Sequence, residues 1–313
     1  MKNAKQAIAL ASAAALSLSM LAGCGSESAP GLTLRLSMGQ EAASYDPIRA
    51  ETTEAETVLI HLYENLLRKT PDTSGGTVLS SGVAKKYDVE ENYDGTVTYT
   101  GTAYRALQGI DVSTFQQEID WQAVADSGID FAFIRAGYRG YGKGGIVEDD
   151  RFRQNAAGAR AAGLRVGLYF FSQAITPEEA AEEAQWLVDA AQDFRIDMPL
   201  VFDWENIDPS SVASGDTVRT AEMTGENVTA CAAAFCAAVE AAGYDAAVYG
   251  NRWQGYYDYD FTQLKDYAFW VSAPGTADDF YYAHDFWQYS YQGTVPGITG
   301  HVDRDLWFVP ITT

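Results

Sequence analysis

The segment 199–205 reads Pro-Leu-Val-Phe-Asp-Trp-Glu and ends in two carboxylates, Asp203 and Glu205. Its apolar beginning predicts a buried strand, in which side chains alternate between the two faces. Asp203 and Glu205 therefore point the same way, about 6–7 Å apart along the strand. Two same-sided acids at a strand end are typical of glycosidases, in which paired carboxyl groups flank a sugar–sugar bond. Asp111 closes another strand-like segment, 108–111, and the three acids together indicate a barrel enzyme that cuts polysaccharide.

The elements that would position these acids alternate between strands and helices from about Tyr104 onward. Strands are predicted at 108–112, 131–136, 164–171, 199–204, 246–249, 268–272, 285–289 and 301–307. Helices are predicted at 120–127, 149–162, 177–193 and 225–242. Eight strands with helices mainly between the earlier ones predict an α/β fold, an irregular TIM-like (β/α) barrel. We place this barrel in residues 103–313 and a small appendage before it.

Composition limits the classes of partner. The chain has 313 residues, of which 47% are hydrophobic and 20% charged, an ordinary globular composition. Its formal net charge is −22, so it lacks the basic surface with which proteins bind nucleic acid. Anionic membrane headgroups would also repel it, so any membrane attachment must rely on something other than charge.

The N-terminus has the features of an export signal. Lys2 and Lys5 precede an apolar stretch, 7–21, with the length and flanks of a signal-peptide core. The sequence Leu-Ala-Gly-Cys at 21–24 resembles the lipobox of bacterial lipoproteins, in which the cysteine becomes lipidated and N-terminal after cleavage. We therefore predict a signal peptide at 1–23, lipidation of Cys24 and a flexible tether at 24–31. Simple secretion with an incidental cysteine is the alternative.

Residues 32–102 have a different character from the barrel. Short stretches at 44–47, 62–66 and 82–88 resemble the opening of the peptide-binding proteins of ABC importers. Only about 70 residues of that two-lobed fold are represented, and its ligand cleft needs both lobes. This segment is therefore predicted to be a truncated remnant or spacer.

A series of landmarks between 108 and 308 resembles the family 25 glycoside hydrolases, lysozymes that cut peptidoglycan between N-acetylmuramic acid and N-acetylglucosamine. The landmarks are Gly-Ile-Asp-Val-Ser at 109–113, Phe-Ile-Arg-Ala-Gly at 133–137, Gly-Leu-Tyr-Phe-Phe-Ser at 167–172, Asp-Trp-Glu at 203–205, Trp-Gln-Tyr-Ser at 287–290 and Val-Asp at 302–303. Each is weak alone, but together in this order they are specific. The last of them continues into an unusually charged tail, where Arg304 separates Asp303 from Asp305.

The resemblance implies roles for the acids. The glutamate of the family's Asp-x-Glu pair is the proton donor, which corresponds to Glu205. Asp203 would act as stabiliser or nucleophile, and Asp111 and Asp303 match the remaining acids of the site. Inverting, retaining and substrate-assisted routes all stay open, because strand spacing does not fix the distance between the carboxyl groups.

Several aromatic residues near strand ends are candidates for stacking on sugars, although aromatics in a barrel also serve as core. The predicted substrate-binding residues are Tyr138, Tyr169, Tyr249, Trp270, Trp287 and Arg135. Arg135 has an equally simple interpretation as part of a barrel ion pair. The glycine-rich segment 137–144 lacks the Ser or Thr of a phosphate loop and is predicted to be a mobile loop over the cleft.

Neither a cofactor nor a metal site is expected. The chain has only three histidines, and Cys231 and Cys236 are five positions apart on a predicted helix, so their sulfurs should diverge. We interpret both cysteines as small core residues.

The expected protein is thus a monomeric peptidoglycan hydrolase held by lipid on the outer face of the cytoplasmic membrane. A family 18-like chitinase is one alternative, although its longer Asp-x-Asp-x-Glu pattern would need an acid at Val201. A non-catalytic wall-binding or solute-binding lipoprotein is the other, supported only by residues 32–102.

Overall fold

The computed structural model describes residues 67–71, 77–81, 88–211, 217–275, 278 and 280–311. The predicted signal peptide at 1–23, the tether at 24–31, Cys24 and most of segment 32–102 lie outside these residues. In the described residues, no helix is long and apolar enough to cross a bilayer.

Thirteen strands and six α-helices are present in this part of the chain. The strands are β1 Leu67–Pro71, β2 Thr77–Ser81, β3 Val89–Glu91, β4 Val97–Tyr99, β5 Tyr104–Val112, β6 Phe131–Arg139, β7 Ile146–Glu148, β8 Arg165–Ser172, β9 Leu200–Trp204, β10 Ala246–Asn251, β11 Ala268–Ser272, β12 Phe286–Gly293 and β13 Val302–Pro310. The helices are α1 Trp121–Asp126, α2 Phe152–Ala161, α3 Pro177–Ala191, α4 Gly225–Ala241, α5 Arg252–Tyr257 and α6 Phe261–Leu264.

Eight strands close into a barrel in the order β5-β6-β8-β9-β10-β11-β12-β13, with β13 pairing back to β5. The neighbours from β5 to β12 are parallel, whereas β13 runs antiparallel to both of its neighbours. The predicted irregular (β/α) barrel and its eight strands are confirmed. Three short elements were not predicted, namely β7, which pairs with β6, and helices α5 and α6 after β10.

The four predicted helices are present, and local sequence explains where they begin. The Thr176 side chain accepts a hydrogen bond from the backbone N–H of Glu179, and Pro177 occupies the first turn of α3. Thr224 and Asn227 form a reciprocal capping box at the start of α4. Within α4, Cys231 and Cys236 are buried and unpaired, as expected of core residues.

Aromatic and aliphatic side chains fill the barrel interior. Phe131, Phe133 and Trp270 are buried there, and the Phe133 and Trp270 rings stack with centroids 4.5 Å apart. Side chains of alternate residues along each strand point inward, so the acids at strand ends lie above this apolar layer. Gly109 and Gly167 face the rings of Phe131 and Phe133, where a methyl group would collide with them.

The hairpin formed by β3 and β4 packs on the barrel. Val97 is buried in the main hydrophobic cluster, and its carbonyl accepts a hydrogen bond from the Gln108 side chain at 2.8 Å. Tyr99 contacts the Phe308 ring edge-on at 5.8 Å. The described residues all belong to one compact unit, and the start of the catalytic segment at 103 stays a prediction.

One residue, Gln117, has an unusual backbone conformation. Gln117, with φ 57° and ψ −125°, follows the short 3₁₀ helix Thr114–Gln116 and is the one non-glycine residue with positive φ in the described chain. Such conformations cost non-glycine residues about 1–3 kcal/mol. Gln117→Gly relieves this strain. It also removes the hydrogen bond from the Gln117 side chain to the Thr114 carbonyl and raises the entropy of the unfolded chain. The net effect should be an increase of about 1 kcal/mol in the free energy of unfolding, measured in urea. The same change at Gln122, inside α1, should destabilise by about 1 kcal/mol, and a loss at both positions would contradict the strain argument.

Candidate active site

The four acids singled out in the sequence meet at one rim of the barrel. Asp111 lies near the end of β5, Asp203 near the end of β9 and Glu205 just beyond it. Asp303 lies at the beginning of β13, but this strand is antiparallel, so its beginning pairs with the end of β5 and Asp303 stands opposite Asp111. All four side chains line one cleft of about 240 Å³. The C-terminal rim of such barrels is where active sites form.

Gln288 on β12 connects two of the acids to a tyrosine. Its amide nitrogen donates to Asp111 Oδ2 at 2.7 Å and to Asp303 Oδ2 at 3.5 Å. Its carbonyl oxygen accepts a hydrogen bond from the Tyr249 hydroxyl at 2.9 Å. The contact fixes which end of the amide faces the acids, and it holds Asp111 and Asp303 on the same side of the cleft.

Asp305 is a fifth acid of the cluster that sequence reasoning left in the charged tail. It is fully buried inside the barrel, where Trp270 Nε1 donates to Asp305 Oδ1 at 2.8 Å. In the described structure, the other oxygen of Asp305 has only the neighbouring carboxyl group of Asp111 as a possible hydrogen-bond partner. Two carboxyl groups can form such a bond only if one of them is protonated. Side-chain alternation along a strand could have revealed Asp305 as a site residue, because Asp303 and Asp305 must face the same side of β13.

Burial and mutual repulsion keep protons on this cluster. Burial raises the pKa of Asp111 well above its ordinary value, and Asp303 and Asp305 add to the effect. Burial and then the charge of Glu205 raise the pKa of Asp203, which nearby Arg135 partly opposes. The pKa of Glu205 is raised by burial and by Asp303, and burial raises the pKa of Asp303 to about 6. The cluster therefore retains protons near neutral pH, as an acid catalyst requires.

Two glutamines hold the backbone around Glu205. Gln173, which follows β8, donates a hydrogen bond to the Glu205 carbonyl at 3.0 Å, and its own carbonyl accepts from the Thr220 hydroxyl. On the other side, the Gln254 side chain of α5 donates to the Trp204 carbonyl. Glu205 has left the strand ladder, so these side chains replace the strand pairing that would otherwise fix its position.

Of the predicted aromatic residues, Tyr169, Tyr249 and Trp270 line the cleft beneath the acids. All three are at least nine-tenths buried, and the Trp270 ring meets the other two edge-on, with its centroid 4.7 Å from that of Tyr249 and 6.1 Å from that of Tyr169. They form the floor of the cleft and part of the barrel core at once. Tyr138 lies in a neighbouring groove described below.

Trp287 is not part of the cleft, which corrects the sequence prediction. Its ring is completely buried in the hydrophobic cluster outside the barrel sheet, and its Nε1 donates to the Ala273 carbonyl at 2.9 Å. Residues alternate across β12, so Gln288 faces the acids and the adjacent Trp287 faces away. The choice of the aromatic residue over its polar neighbour was wrong for this reason.

Arg135 lines the cleft but pairs with an acid outside the predicted set. Its guanidinium contacts Asp149 Oδ2 at 2.9 Å and lies over the rings of Phe115 and Tyr138, 5.1 and 5.5 Å from their centroids. The same Asp149 oxygen accepts a hydrogen bond from the Thr114 backbone. Asp149 therefore ties the segment after β5 to β6 and keeps Arg135 in place.

A second hollow of about 340 Å³ adjoins the cleft, and we call it the side groove. Phe115, Arg135, Tyr141 and Phe171 line both. Phe115 is 76% exposed at the boundary between the two hollows, with Arg135 over one face of its ring. Neither Phe115 nor Tyr141 lies at a recognisable strand end, so neither was predicted as a site residue.

The glycine-rich segment 137–144 is a hairpin connection rather than the free loop expected. Gly140 and Gly145 are hydrogen-bonded through their backbones, and the Tyr141 carbonyl accepts from the Arg219 backbone at 2.9 Å. The buried Arg139 side chain also donates to the Gly144 carbonyl at 2.8 Å. Tyr141 thus has a defined place in the wall of both hollows.

Comparison with known proteins identifies the family of the chain. A profile of the glycosyl hydrolases family 25 matches residues 110–298. The chain belongs to this family. It is therefore a glycoside hydrolase, as its resemblance to family 25 predicted, and neither the family 18 alternative nor a binding-only lipoprotein is favoured. In the described residues, no group of three or more His, Cys, Asp or Glu side chains is arranged to hold a metal ion.

Individual relatives match the barrel region. Lysozyme M1 of Streptomyces globisporus is 30% identical over 207 residues, which cover 64% of this chain and 67% of that protein. The autolytic lysozyme of Clostridium acetobutylicum is 26% identical over 200 residues, 64% of this chain and 55% of the relative. The modular autolysin LytC of Streptococcus pneumoniae, solved with a synthetic peptidoglycan ligand, has the same fold, with a TM-score of 0.58 and 21% identity. That match covers 78% of this chain and 57% of LytC.

Proposed function

We propose that the protein cleaves the β-1,4 bond between N-acetylmuramic acid and N-acetylglucosamine in peptidoglycan. The observation that carries the proposal is the convergence of Asp111, Asp203, Glu205 and Asp303 on one cleft at the catalytic rim of a family 25 barrel. The lysozyme names of its relatives and the peptidoglycan ligand of LytC supply the substrate class.

Glu205 is assigned as the proton donor. Its pKa is raised by burial and by Asp303, so its neutral form persists toward neutral pH and can protonate the leaving glycosidic oxygen. Proton loss from Glu205 then makes the carboxylate available to accept a proton from water. Gln173 and Gln254 donate hydrogen bonds to the backbone carbonyls of Glu205 and Trp204, and these bonds keep the Glu205 side chain positioned toward the glycosidic bond.

Asp203 is assigned to stabilise the sugar ring that becomes positive, as an ion or as a covalent nucleophile. Asp203 lines the cleft, and its buried Oδ1 has no hydrogen-bond partner in the described structure. Asp303, whose pKa of about 6 leaves it mostly ionised at neutral pH, adds negative potential around the ring. Among the described residues that line the cleft, Arg135 is the one cation, and Asp149 neutralises it. Such a site favours a cationic, oxocarbenium-like transition state over a neutral substrate.

The location is part of the proposal. The lipobox-like sequence before Cys24 supports a lipid anchor that holds the enzyme on the outer face of the cytoplasmic membrane. With the signal at 1–23, tether at 24–31 and appendage at 32–102 preceding the barrel at 103–313, the enzyme would reach peptidoglycan close to the membrane, acting as a monomer.

Digestion of purified bacterial sacculi by the full chain tests the reaction. We expect new reducing ends on N-acetylmuramic acid, identified by borohydride reduction and mass spectrometry of the products. Reducing ends on N-acetylglucosamine, or cleavage of chitin without cleavage of sacculi, would refute the assignment. Proton NMR of the first product formed would show whether the anomeric configuration is retained or inverted.

The pH profile provides a sharper test of the acid. Negative charge on Asp303 raises the pKa of Glu205, so Asp303→Asn should lower the Glu205 pKa. Activity depends on protonated Glu205 and is lost as pH rises through its pKa, so the alkaline limb of kcat/KM should move to lower pH. Asp189→Asn, on the exposed face of α3, should leave the limb in place. A shift to higher pH, or none, would contradict the electrostatic coupling.

A further inference from the structure

Four aromatic side chains outside the cleft form an exposed surface on helix α5 and the segment after β11. Trp253 and Tyr257 are 62% and 66% exposed, and their ring centroids lie 4.3 Å apart. Tyr256 lies beside them on the same helix and contacts Tyr282, with ring centroids 5.9 Å apart, and both are 38% exposed. We call Trp253, Tyr256, Tyr257 and Tyr282 the aromatic platform. Exposed apolar groups of this kind mark interaction sites when they are contiguous.

The platform is held from beneath. On α5 the exposed residues 253, 256 and 257 share one face, and Gln254 and Gly255 on the opposite face are buried. The Tyr256 ring rests on Phe280 with centroids 4.9 Å apart, and its hydroxyl accepts a hydrogen bond from the Tyr281 backbone at 2.9 Å. The Tyr256 ring is therefore held in a fixed position, which lowers the entropy lost on binding a ligand.

The segments that carry the platform leave the barrel at the rim of the catalytic acids. Helix α5 begins directly after β10, and Tyr282 belongs to the segment that follows β11. Both segments therefore leave the barrel at the end where Asp111 and Asp203 lie. The buried face of α5 also reaches the site, since Gln254 donates to the carbonyl of Trp204, one residue before Glu205.

Strand order places the platform across the barrel from the side groove. In the closed order of eight strands, β10 stands four positions from β5, and β11 stands four positions from β6. Segments that follow β5 and β6 line the side groove, and segments that follow β10 and β11 carry the platform. A linear polymer that crosses the rim over Glu205 would thus have the side groove toward one end and the platform toward the other.

The chemistry of the platform suits sugars rather than ions. Aromatic rings offer flat apolar faces, and tyrosine and tryptophan add a polar edge that can hydrogen-bond to hydroxyl groups. The chain carries a net charge of −22, so electrostatic attraction does not favour its binding to an anionic wall. Stacking on the apolar faces of pyranose rings needs no such attraction.

We propose that the aromatic platform binds sugar residues of the glycan strand at a distance from the bond that Glu205 cleaves. The platform then acts as a second holding point for long strands, while short fragments reach only the cleft. This inference rests on the proposed function, because it takes peptidoglycan as the polymer.

The test uses the double variant Trp253→Ala/Tyr257→Ala in the full chain. Binding to sacculi is measured by co-sedimentation in an inactive Glu205→Gln background, so that turnover does not enter. Two stacked rings together contribute enough that binding should weaken about tenfold. In the active background, the ratio of the rate on sacculi to the rate on a soluble tetrasaccharide fragment should fall by about the same factor.

Two controls separate ring loss from misfolding. Trp253→Phe/Tyr257→Phe keeps the flat rings and should retain most of the binding. Tyr93→Ala removes a fully exposed ring from the β3–β4 hairpin and should leave sacculus binding unchanged.

Three results would overturn the proposal: unchanged binding of the alanine variant, equal loss of rate on sacculi and tetrasaccharide, or loss of binding to phosphatidylglycerol vesicles with sacculus binding intact. The last result would assign the surface to a lipid bilayer. Failure of the wild-type chain to cut any sacculus would refute the proposed function instead, and the binding comparison would still decide the role of the platform.

Discussion

Glu205→Gln is expected to lower kcat on peptidoglycan by about 10²–10⁴-fold while the protein remains folded. Glutamine preserves the size of the side chain but cannot give up a proton to the leaving oxygen. The backbone hydrogen bonds from Gln173 and Gln254 do not involve the replaced carboxyl group, so the position of residue 205 should persist. Release of reducing ends from sacculi measures the effect, and far-ultraviolet circular dichroism checks the fold.

The matched control is Glu240→Gln, the same substitution on the exposed surface of α4. It should retain full activity, because Glu240 lies outside the cleft. Equal activity of Glu205→Gln and the parent would remove Glu205 from the role of proton donor. The family assignment would still hold, and another acid of the cluster would have to be the proton donor.

Arg139→Met is expected to destabilise the fold by about 3–5 kcal/mol above pH 7, because it leaves a buried carboxylate without its cation. Arg139 Nε contacts Glu183 Oε1 at 2.5 Å, and the Glu183 side chain is completely buried. The Ser172 hydroxyl donates to the other Glu183 oxygen, also at 2.5 Å. Urea unfolding followed by tryptophan fluorescence measures the loss.

The size of this effect should depend on pH. Burial raises the pKa of Glu183 to about 7, although Ser172 and Arg139 oppose the shift. A carboxyl group with a raised folded-state pKa contributes stability at low pH that is lost as pH rises through that pKa. Without Arg139 the pKa rises further, so the destabilisation should shrink at pH 5, where Glu183 is neutral.

A second substitution and a surface control make this prediction specific. Adding Glu183→Gln to Arg139→Met removes the orphaned charge and should recover part of the stability at pH 8. Arg153→Met removes an arginine that also contacts two acids, Glu148 at 2.9 Å and Asp193 at 2.6 Å, but is half exposed. Solvent screening should limit its cost to about 1 kcal/mol or less. Equal losses for the two arginines, or no recovery in the double variant, would contradict the burial argument.

The sequence by itself determined the strands, the helices and the family. Period-two alternation, caps such as Thr176 and Thr224, and glycines at helix ends are local signals, and each acts through neighbouring residues. The ends of parallel strands meet at one rim, so the position of Asp203 and Glu205 after an apolar run was enough to place them at the site. Short helices such as α5 were not predicted, because six residues are too few to show a helical period.

The tertiary structure alone decided which residues accompany these acids. Reversal of β13 brings Asp303 beside Asp111, and no local pattern reveals the direction of a strand. The alternation on β12 decides that Gln288 rather than Trp287 faces the cleft. A bulge in β6 between Arg135 and Gly137 similarly changes which residues point outward, and it sends Arg139 toward α3.

The physical reason is the range of the interactions. Side-chain alternation along strands and helix capping depend on residues two to four positions apart, so a short stretch of sequence is enough to reveal them. Pairs such as Gln288 with Asp111, Trp270 with Asp305 and Arg139 with Glu183 join residues 177, 35 and 44 positions apart. These contacts exist only once barrel closure has fixed register, strand direction and the facing of each side chain.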